Sequence, residues 1–382
     1  MTTGLLSAPW ETFVVCLLLL VAPAIATGWR RSVRTLVALV IAAAVALFAP
    51  AGPLAYGAVA IGALLHAFGA WPSSRTGAVW LTASALLAVA TGAALDAGRL
   101  TEAFVLSTLA IALRAGVLPL NAGVSSLCER APIVQIQQLA STIVLVFVHL
   151  RFVDHHPEAV ALAPLVVRIG AVAALAGALL SIVQRDLRGF YRATTSMHGG
   201  LVLAAVGAAS HDNFAAALLV VVSAGLALGG LGIMTSSLEE RVGAVRFEDG
   251  GGRVGALPRL AVAYAFFGAA GVAMPGTSGF VADDLLLHAL WMESPVSTVL
   301  VIVSSATLAV STLVAYSRAF LGRPVPVLAP DLSARERLVT AALFGFLLVL
   351  GLAPGLLIGP ADAFLTVVPE VATVAPGAGA VR

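Results

Sequence analysis

Charge occurs in this chain where charge is expensive. Arg114 lies inside the apolar stretch 101–120, five residues before Pro119, and Asp283 with Asp284 follows the Pro275-Gly276 pair inside the apolar stretch 257–291. A carboxylate several residues into a membrane-crossing helix costs ~2.5 to 3.5 kcal/mol on insertion scales. Its retention therefore points to a partner or a water-filled cavity, and to the chemistry of taking up and releasing a proton or cation. Arginine offers something different. With an ordinary pKa of about 12.5 or above, neutralising a guanidinium at pH 7 costs more than about 7 kcal/mol, so Arg114 reads as a permanent charge, a fixed counter-ion at least as readily as a carrier. No lysine is available for that task, because all 21 basic residues are arginines. Gln135, Gln137 and Gln138 can hydrogen-bond water without changing charge, and His198 suits a cap, a packing role or a gate.

The elements that position these residues are membrane spans. Sixty per cent of the residues are hydrophobic and ten per cent charged, with a mean hydropathy of +1.03. Too little polar surface exists to cover a soluble core of this size. A span takes roughly 20 apolar residues, and twelve such runs are expected: 11–28, 33–50, 52–70, 77–95, 101–127, 131–150, 160–184, 191–210, 213–237, 257–291, 296–317 and 333–358. The runs 101–127 and 257–291 are overlong and interrupted, by Pro119 and by Pro275 with Gly276, so each is expected to be one broken helix. Four spans lie between them, the spacing of two inverted five-helix units that each carry a broken helix. The expected fold is thus an all-α polytopic membrane protein of about 12 transmembrane helices. It divides into N-terminal helices (1–76), a main transmembrane domain (77–360) and a flexible tail rich in Ala, Pro and Gly (361–382).

Arginine placement gives an orientation. Sixteen arginines, among them Arg75, Arg130, Arg185, Arg188, Arg192, Arg241, Arg246, Arg253 and Arg318, fall in alternate loops assigned to the cytoplasm, while the opposite loops hold only Arg99 and Arg151. Both termini are then expected outside a bacterial-type inner membrane. The first span lacks a basic leader and is expected to remain as an anchor. Arg168, near a helix end, is expected to snorkel.

Other chemistries find no support. The net charge of +2 and topology-bound arginines indicate no nucleic-acid partner. Cys16 and Cys128 lack metal or redox spacing. His149, His155 and His156 with Asp154 and Glu158 are read as a solvated outer loop rather than a metal site. The segment 239–259, with its glycine run 250–252, is expected to be a solvated connection, since it lacks the lysine and helix start of a phosphate loop. Arg185, Asp186 and Arg188 are expected to form a loop ion pair. No cofactor, metal or catalytic site is expected within the chain, so any electron transfer would belong to partners.

Four segments together carry a resemblance. Arg114-Ala-Gly-Val-Leu-Pro119-Leu-Asn121 resembles a K-x-x-x-x-P-x-H pattern. Gln184-Arg185-Asp186-Leu187-Arg188 with Ser196-Met197-His198-Gly199-Gly200 resembles Q-x-D-[LI]-K-R…YSS-x-x-H-x-G. Leu257-Pro258 with Met274-Pro275-Gly276-Thr277-Ser278-Gly279-Phe280-Val281-Ala282-Asp283 resembles M-P…[LI]-P-G-x-S-G-F-x-G-E. Asp331-Leu332-Ser333 with Arg335-Glu336 and Leu350-Gly351-Leu352-Ala353-Pro354 resembles D-L-x-x-R-E…L-G-L-Y-P. These are patterns of the proton-channel (antiporter-like) membrane subunits shared by respiratory complex I, the NADH:quinone oxidoreductase, and the Mrp cation/proton antiporters. The M-type (subunit 4) members are particularly similar.

The resemblance implies an ion path through both broken helices, with Asp283 at the position of the family's terminal Glu or Lys and Arg114 at that of its lysine. The chain departs from the pattern where the family uses a glutamate two spans earlier, since the run 52–70 has no acid. It also departs at Gln135, Gln137 and Gln138, where a His or Lys is usual, and at Ala224, where a His is usual. The resemblance implies membrane partners, and three functional readings follow. The chain is an ion-translocating (proton or Na⁺) subunit of a complex I-like, hydrogenase-like or Mrp-like assembly, a membrane subunit of an inorganic-carbon uptake complex beside a soluble zinc protein, or a non-conducting scaffold for partner subunits.

Overall fold

The computed structural model describes residues 9–27, 33–209 and 213–358. The expected tail 361–382 and Arg30 and Arg31 lie outside the described residues. Within them every apolar run holds a helix: α1 (Pro9–Ala26), α2 (Val33–Phe48), α3 (Pro53–Ala70), α4 (Arg75–Asp96), α5 (Leu100–Ala115), α6 (Ala122–Arg130), α7 (Pro132–His155), α8 (Ala163–Ile182), α9 (Leu187–Gly207), α10 (Phe214–Val242), α11 (Pro258–Ala270), α12 (Ser278–Glu293), α13 (Pro295–Phe320), α14 (Ala334–Leu352) and the short α15 (Gly355–Ile358). Seven of them are long and apolar enough to cross a membrane by length and composition: α1, α3, α4, α7, α8, α10 and α13. No strand is present among the described residues, and Asp186 and Arg246 form one isolated bridge.

Local chemistry sets the helix starts. Helices α3, α7, α8, α11 and α13 carry proline at their first or second position, where its missing N–H leaves no partner unserved. Ser333 opens α14 with a capping box that includes Glu336, so two end groups of the helix are satisfied reciprocally.

Both overlong runs break, and proline explains where. A proline ring clashes with the carbonyl four residues earlier and cannot donate to it. Four residues before Pro119 is Ala115, the last residue of α5; four before Pro275 is Gly271, the C-cap of α11. Gly116 closes α5 in the left-handed conformation at φ 73°, which a residue lacking Cβ adopts without penalty. The chain resumes as α6 and α12.

The centre of the bundle is α10, whose most apolar window is 94% buried, flanked by α7 at 83%, whereas α13 is only 39% buried and lies at the rim. A helix apolar on all sides has no outward stripe, so α10 serves as the common core of its neighbours. Helices α8 and α9 pack closely enough that a Cβ on Gly200 would fall on the backbone nitrogen of Ala174, and one on Gly170 on that of Ala204. Small residues at such crossings let helix backbones meet inside a membrane.

Polar contacts tie the arginine-rich ends together on one side of the bundle. Arg188 pairs with Glu239 and donates to the carbonyls of Cys128 (3.2 Å) and Glu129 (2.8 Å), and Arg192 pairs with Glu129. Arg241 makes a two-pronged pair with Glu336 (2.9 and 2.7 Å), and Asp331 accepts from the backbone N–H of Arg259 (2.8 Å) and Leu260 (3.2 Å) at the start of α11. Elsewhere, Arg151 donates to the carbonyls of Leu47 (3.0 Å) and Ala49 (2.7 Å) at the end of α2. Arg168 is exposed on α8.

Two local expectations are corrected and a third is refined. Asp186 does not pair with Arg185 or Arg188; it caps α9, accepting from Gly189 N at 2.7 Å. The segment 239–259 is largely exposed, as a solvated connection is, but its glycine run is docked on the rest of the fold. The Gly252 N–H donates to Leu321 O (2.9 Å) and the Gly252 carbonyl accepts from Val325 N (3.2 Å), and Arg253, 9% exposed, donates to Gly250 O and Ala319 O. Burial lowers the Arg253 pKa from its ordinary value. Its glycine run is needed because Gly252, at φ 84°, lies against the Arg323 carbonyl, where a Cβ has no room. His149, finally, is not in an outer loop: α7 continues to His155, and His149 is fully buried with Nδ1 2.8 Å from Ser107 Oγ.

Candidate functional site

The first break collects buried polar groups. Arg114, 2% exposed, donates from Nε to Ser84 Oγ on α4 (3.2 Å) and from Nη1 to the Ser141 carbonyl on α7 (3.1 Å). Its Nη2 has no hydrogen-bond partner, and none of the ion pairs among the described residues includes it. Gln138 Nε2 donates to the Arg114 carbonyl at 2.7 Å, a carbonyl freed by the end of α5. Asn121, just past Pro119, donates to Ser196 Oγ on α9 at 3.2 Å.

The glutamines divide their duties. Gln137 donates to Leu20 O on α1 (2.9 Å), and Gln135 accepts from the Tyr191 hydroxyl (2.6 Å). Only Gln138 reaches the break, and it meets the backbone of Arg114 rather than its guanidinium. Residues 135 and 138, three apart, share one face of α7 and line the same cavity, whereas 137 turns toward α1.

His198 links the two breaks. Its Nδ1 lies 2.9 Å from Thr194 O and its Nε2 2.9 Å from Gly271 O at the end of α11, while the adjacent Gly199 lies against the Ala115 carbonyl at the end of α5. A cavity of about 30 Å³ is lined by Arg114, Gln135, Gln138, Thr195 and His198. A second, of about 20 Å³, is lined by Arg114, Ser141, His66 and the α3 residues Ala58, Val59 and Gly62. No carboxylate lines either. Roughly 10 to 15 Å³ accommodates one water.

Past the second break, Asp283 is partly buried on α12 with the Ser305 hydroxyl of α13 facing its carboxylate. It lines none of the cavities named here. Asp284 points outward at 63% side-chain exposure, with His288 at 68%, their Oδ1 and Nδ1 3.7 Å apart. The structure thus gathers Arg114, Gln138 and His198 around the first break and leaves Asp283 and Asp284 apart. Ser84, Ser141 and His66 escape a sequence reading because their proximity to Arg114 arises from helix packing, with no local spacing to betray it.

Two broken helices, each with a carbonyl at its break received by a buried polar side chain, and seven helices long and apolar enough to span define a multi-pass membrane protein built around interrupted helices. Comparison with known proteins is more specific. The family described as NADH:quinone oxidoreductase/Mrp antiporter, TM matches residues 8–309, and the chain belongs to it. NADH-quinone oxidoreductase subunit M of Escherichia coli (strain K12) is 28% identical over 254 residues, 64% of this chain and 50% of that protein. The Rhodobacter capsulatus subunit M is 29% identical over 206 residues, 52% of this chain and 40% of that one. The chain thus spans about half the length of the curated relatives it matches. Its fold is similar to a chain of respiratory complex I from Thermus thermophilus (TM-score 0.79, 21% identity, 94% of this chain and 83% of that one). It is also similar to a chain of the Mrp complex from Dietzia sp. DQ12-45-1b (TM-score 0.74, 17% identity, 92% and 80%).

Proposed function

We propose that the chain is an ion-translocating (proton or Na⁺) membrane subunit of a larger complex I-like, hydrogenase-like or Mrp-like assembly, with the cation step at Asp283 and a fixed positive charge at Arg114. The observation that carries this reading is Asp283 itself: an acid beyond a proline break, partly buried, facing a hydroxyl and free of any ion pair among the described residues. A carboxylate so placed changes charge at modest free energy, whereas a guanidinium does not. Gln138 and His198 line the path at the first break, Gln137 braces α7 against α1, Asp284 lies on the outer face of α12 away from it, and Pro119, Pro275 and Gly276 hold the path open. The division into 1–76, 77–360 and 361–382, the inverted relation of the two units and the outside location of both termini belong to this reading; the clustering of arginine-rich ends on one side of the bundle supports the last. Partners are other membrane subunits and the lipid bilayer, with a redox arm or a soluble zinc protein attached elsewhere in the assembly.

The experiment is proton or Na⁺ flux in the reconstituted assembly. Asp283→Asn should abolish flux and Arg114→Lys should leave most of it. Survival of flux in Asp283→Asn together with its loss in Arg114→Lys reverses the roles assigned here. The scaffold reading is favoured by one observation, the absence of any carboxylate around Arg114; complete absence of flux in the unmodified assembly would establish it.

A further inference from the structure

Arg114 is a buried cation without a counter-charge among the described residues. Its guanidinium is 2% exposed, two of its three nitrogens are occupied by Ser84 and by the Ser141 carbonyl, and Nη2 has no partner. Removing a lone charge from water costs several kcal/mol, which neutral hydrogen bonds alone repay poorly. The cavity beside this guanidinium holds about 20 Å³, includes Ser141 and His66 in its wall, and is otherwise apolar: Leu20, Leu39, Ala58, Val59 and Gly62 among others. That is room for one water-sized occupant and too little for a polyatomic oxyanion.

We propose that this cavity is a binding site for a single small inorganic anion of halide size, held by Arg114 Nη2 and enclosed by α2, α3 and α7. The anion takes the place of a protein carboxylate: no residue of α3 facing Arg114 is an acid, and Gly62, which lies in the cavity wall, has open space where a side chain would begin, since a Cβ there would meet only Ala42 at 3.8 Å. The site does not depend on cation transport at Asp283, so a complex that conducts nothing could still hold the anion, and failure of either idea leaves the other standing.

The direct test is bromide. The purified native assembly, prepared in sodium bromide, should show anomalous density within hydrogen-bond distance of the Arg114 guanidinium; density for water alone at that place would overturn the proposal. In solution, chloride or bromide should raise the unfolding temperature by several degrees over gluconate at equal ionic strength. Arg114→Gln should lose that difference. Gly62→Asp, which supplies a carboxylate from α3, should lose it too while remaining at least as stable in gluconate as the unmodified protein. A halide effect that persists undiminished in Gly62→Asp would place the anion elsewhere and overturn the assignment. Should neither variant fold, the bromide density decides.

Discussion

His198 Nε2 stands 2.9 Å from the carbonyl oxygen of Gly271, the acceptor that Pro275, four residues later, cannot serve. The first break has a counterpart in Gln138 Nε2, 2.7 Å from the carbonyl of Arg114. At the second break a side chain from another helix stands at a carbonyl whose helical donor is lost to proline; at the first, Gln138 serves the neighbouring last-turn carbonyl, whose helical donor would have been the N–H of Leu118. A buried carbonyl left without a donor costs about 1–3 kcal/mol, so these two residues set how stable each break is. Because His198 also lines the cavity of the first break, one side chain senses both.

His198→Ala should therefore destabilise the protein by about 1–3 kcal/mol, while His198→Gln, which keeps an N–H donor of similar reach, should recover much of the loss. Denaturant unfolding of the purified assembly measures both. Equal effects of the two substitutions would show that the ring packs without donating to Gly271.

The same reasoning separates two glutamines. Gln138→Leu strips the donor from the Arg114 carbonyl, whereas Gln137→Leu strips one from Leu20 on α1. Each should cost about 1–3 kcal/mol. Only Gln138→Leu should also speed amide hydrogen exchange across 114–121. Faster exchange there in both variants would mean that the two side chains act through general packing of α7.

How much of this was legible in the sequence follows from the range of each interaction. The breaks were, because proline acts on the residue four positions before it, and the helix ends at Ala115 and Ala270 obey that local rule. The carboxylate at 283 stood out against apolar neighbours for the same reason. His149 escapes a sequence reading because the stretch 143–148 before it is apolar throughout, so no periodicity there shows that the helix continues to His155 or that a histidine near its end is enclosed by Phe104 and Phe152. The docking of 250–253 on the end of α13 and the meeting of Ser84 with Arg114 depend on tertiary packing, which single-sequence patterning does not encode.

Enclosed and exposed ion pairs should differ sharply in worth. Arg241 and Glu336 are 10% and 7% exposed and meet through two hydrogen bonds, whereas Arg99 and Glu102 are 57% and 58% exposed. Removing one partner of an enclosed pair strands the other charge, so Arg241→Met should cost about 3–5 kcal/mol, and the double change Arg241→Met with Glu336→Met should recover most of it. Arg99→Ala should cost no more than about 1 kcal/mol. A double-mutant cycle on thermal unfolding checks the contrast; similar values for the two pairs would contradict it.

Helices α8 and α9 should tolerate no enlargement where they cross. A methyl group at Gly200 would meet the Ala174 backbone nitrogen, which no rotamer change can move aside. Gly200→Ala should exceed the usual ~1–3 kcal/mol of overpacking and abolish accumulation of the folded protein. Gly345→Ala is the control, because nothing lies within 4 Å of a Cβ there. Normal expression and stability of Gly200→Ala would refute the close crossing.

Helix α12 makes the last prediction, because it carries Asp284 and His288 on an outer face along with Phe280, Trp291 and Met292. Asp284 is only six residues past the start of a helix that begins at the second break, a depth at which an ionised side chain facing lipid costs ~2.5–3.5 kcal/mol. A polar surface of a neighbouring subunit removes that penalty; hydrocarbon does not. The double change Asp284→Leu with His288→Leu should leave the isolated subunit as stable as before, or more so, and reduce its recovery in the assembly by native mass spectrometry. If the assembly survives unchanged and only the isolated subunit gains stability, this face of α12 meets lipid, and the neighbouring subunit must pack elsewhere.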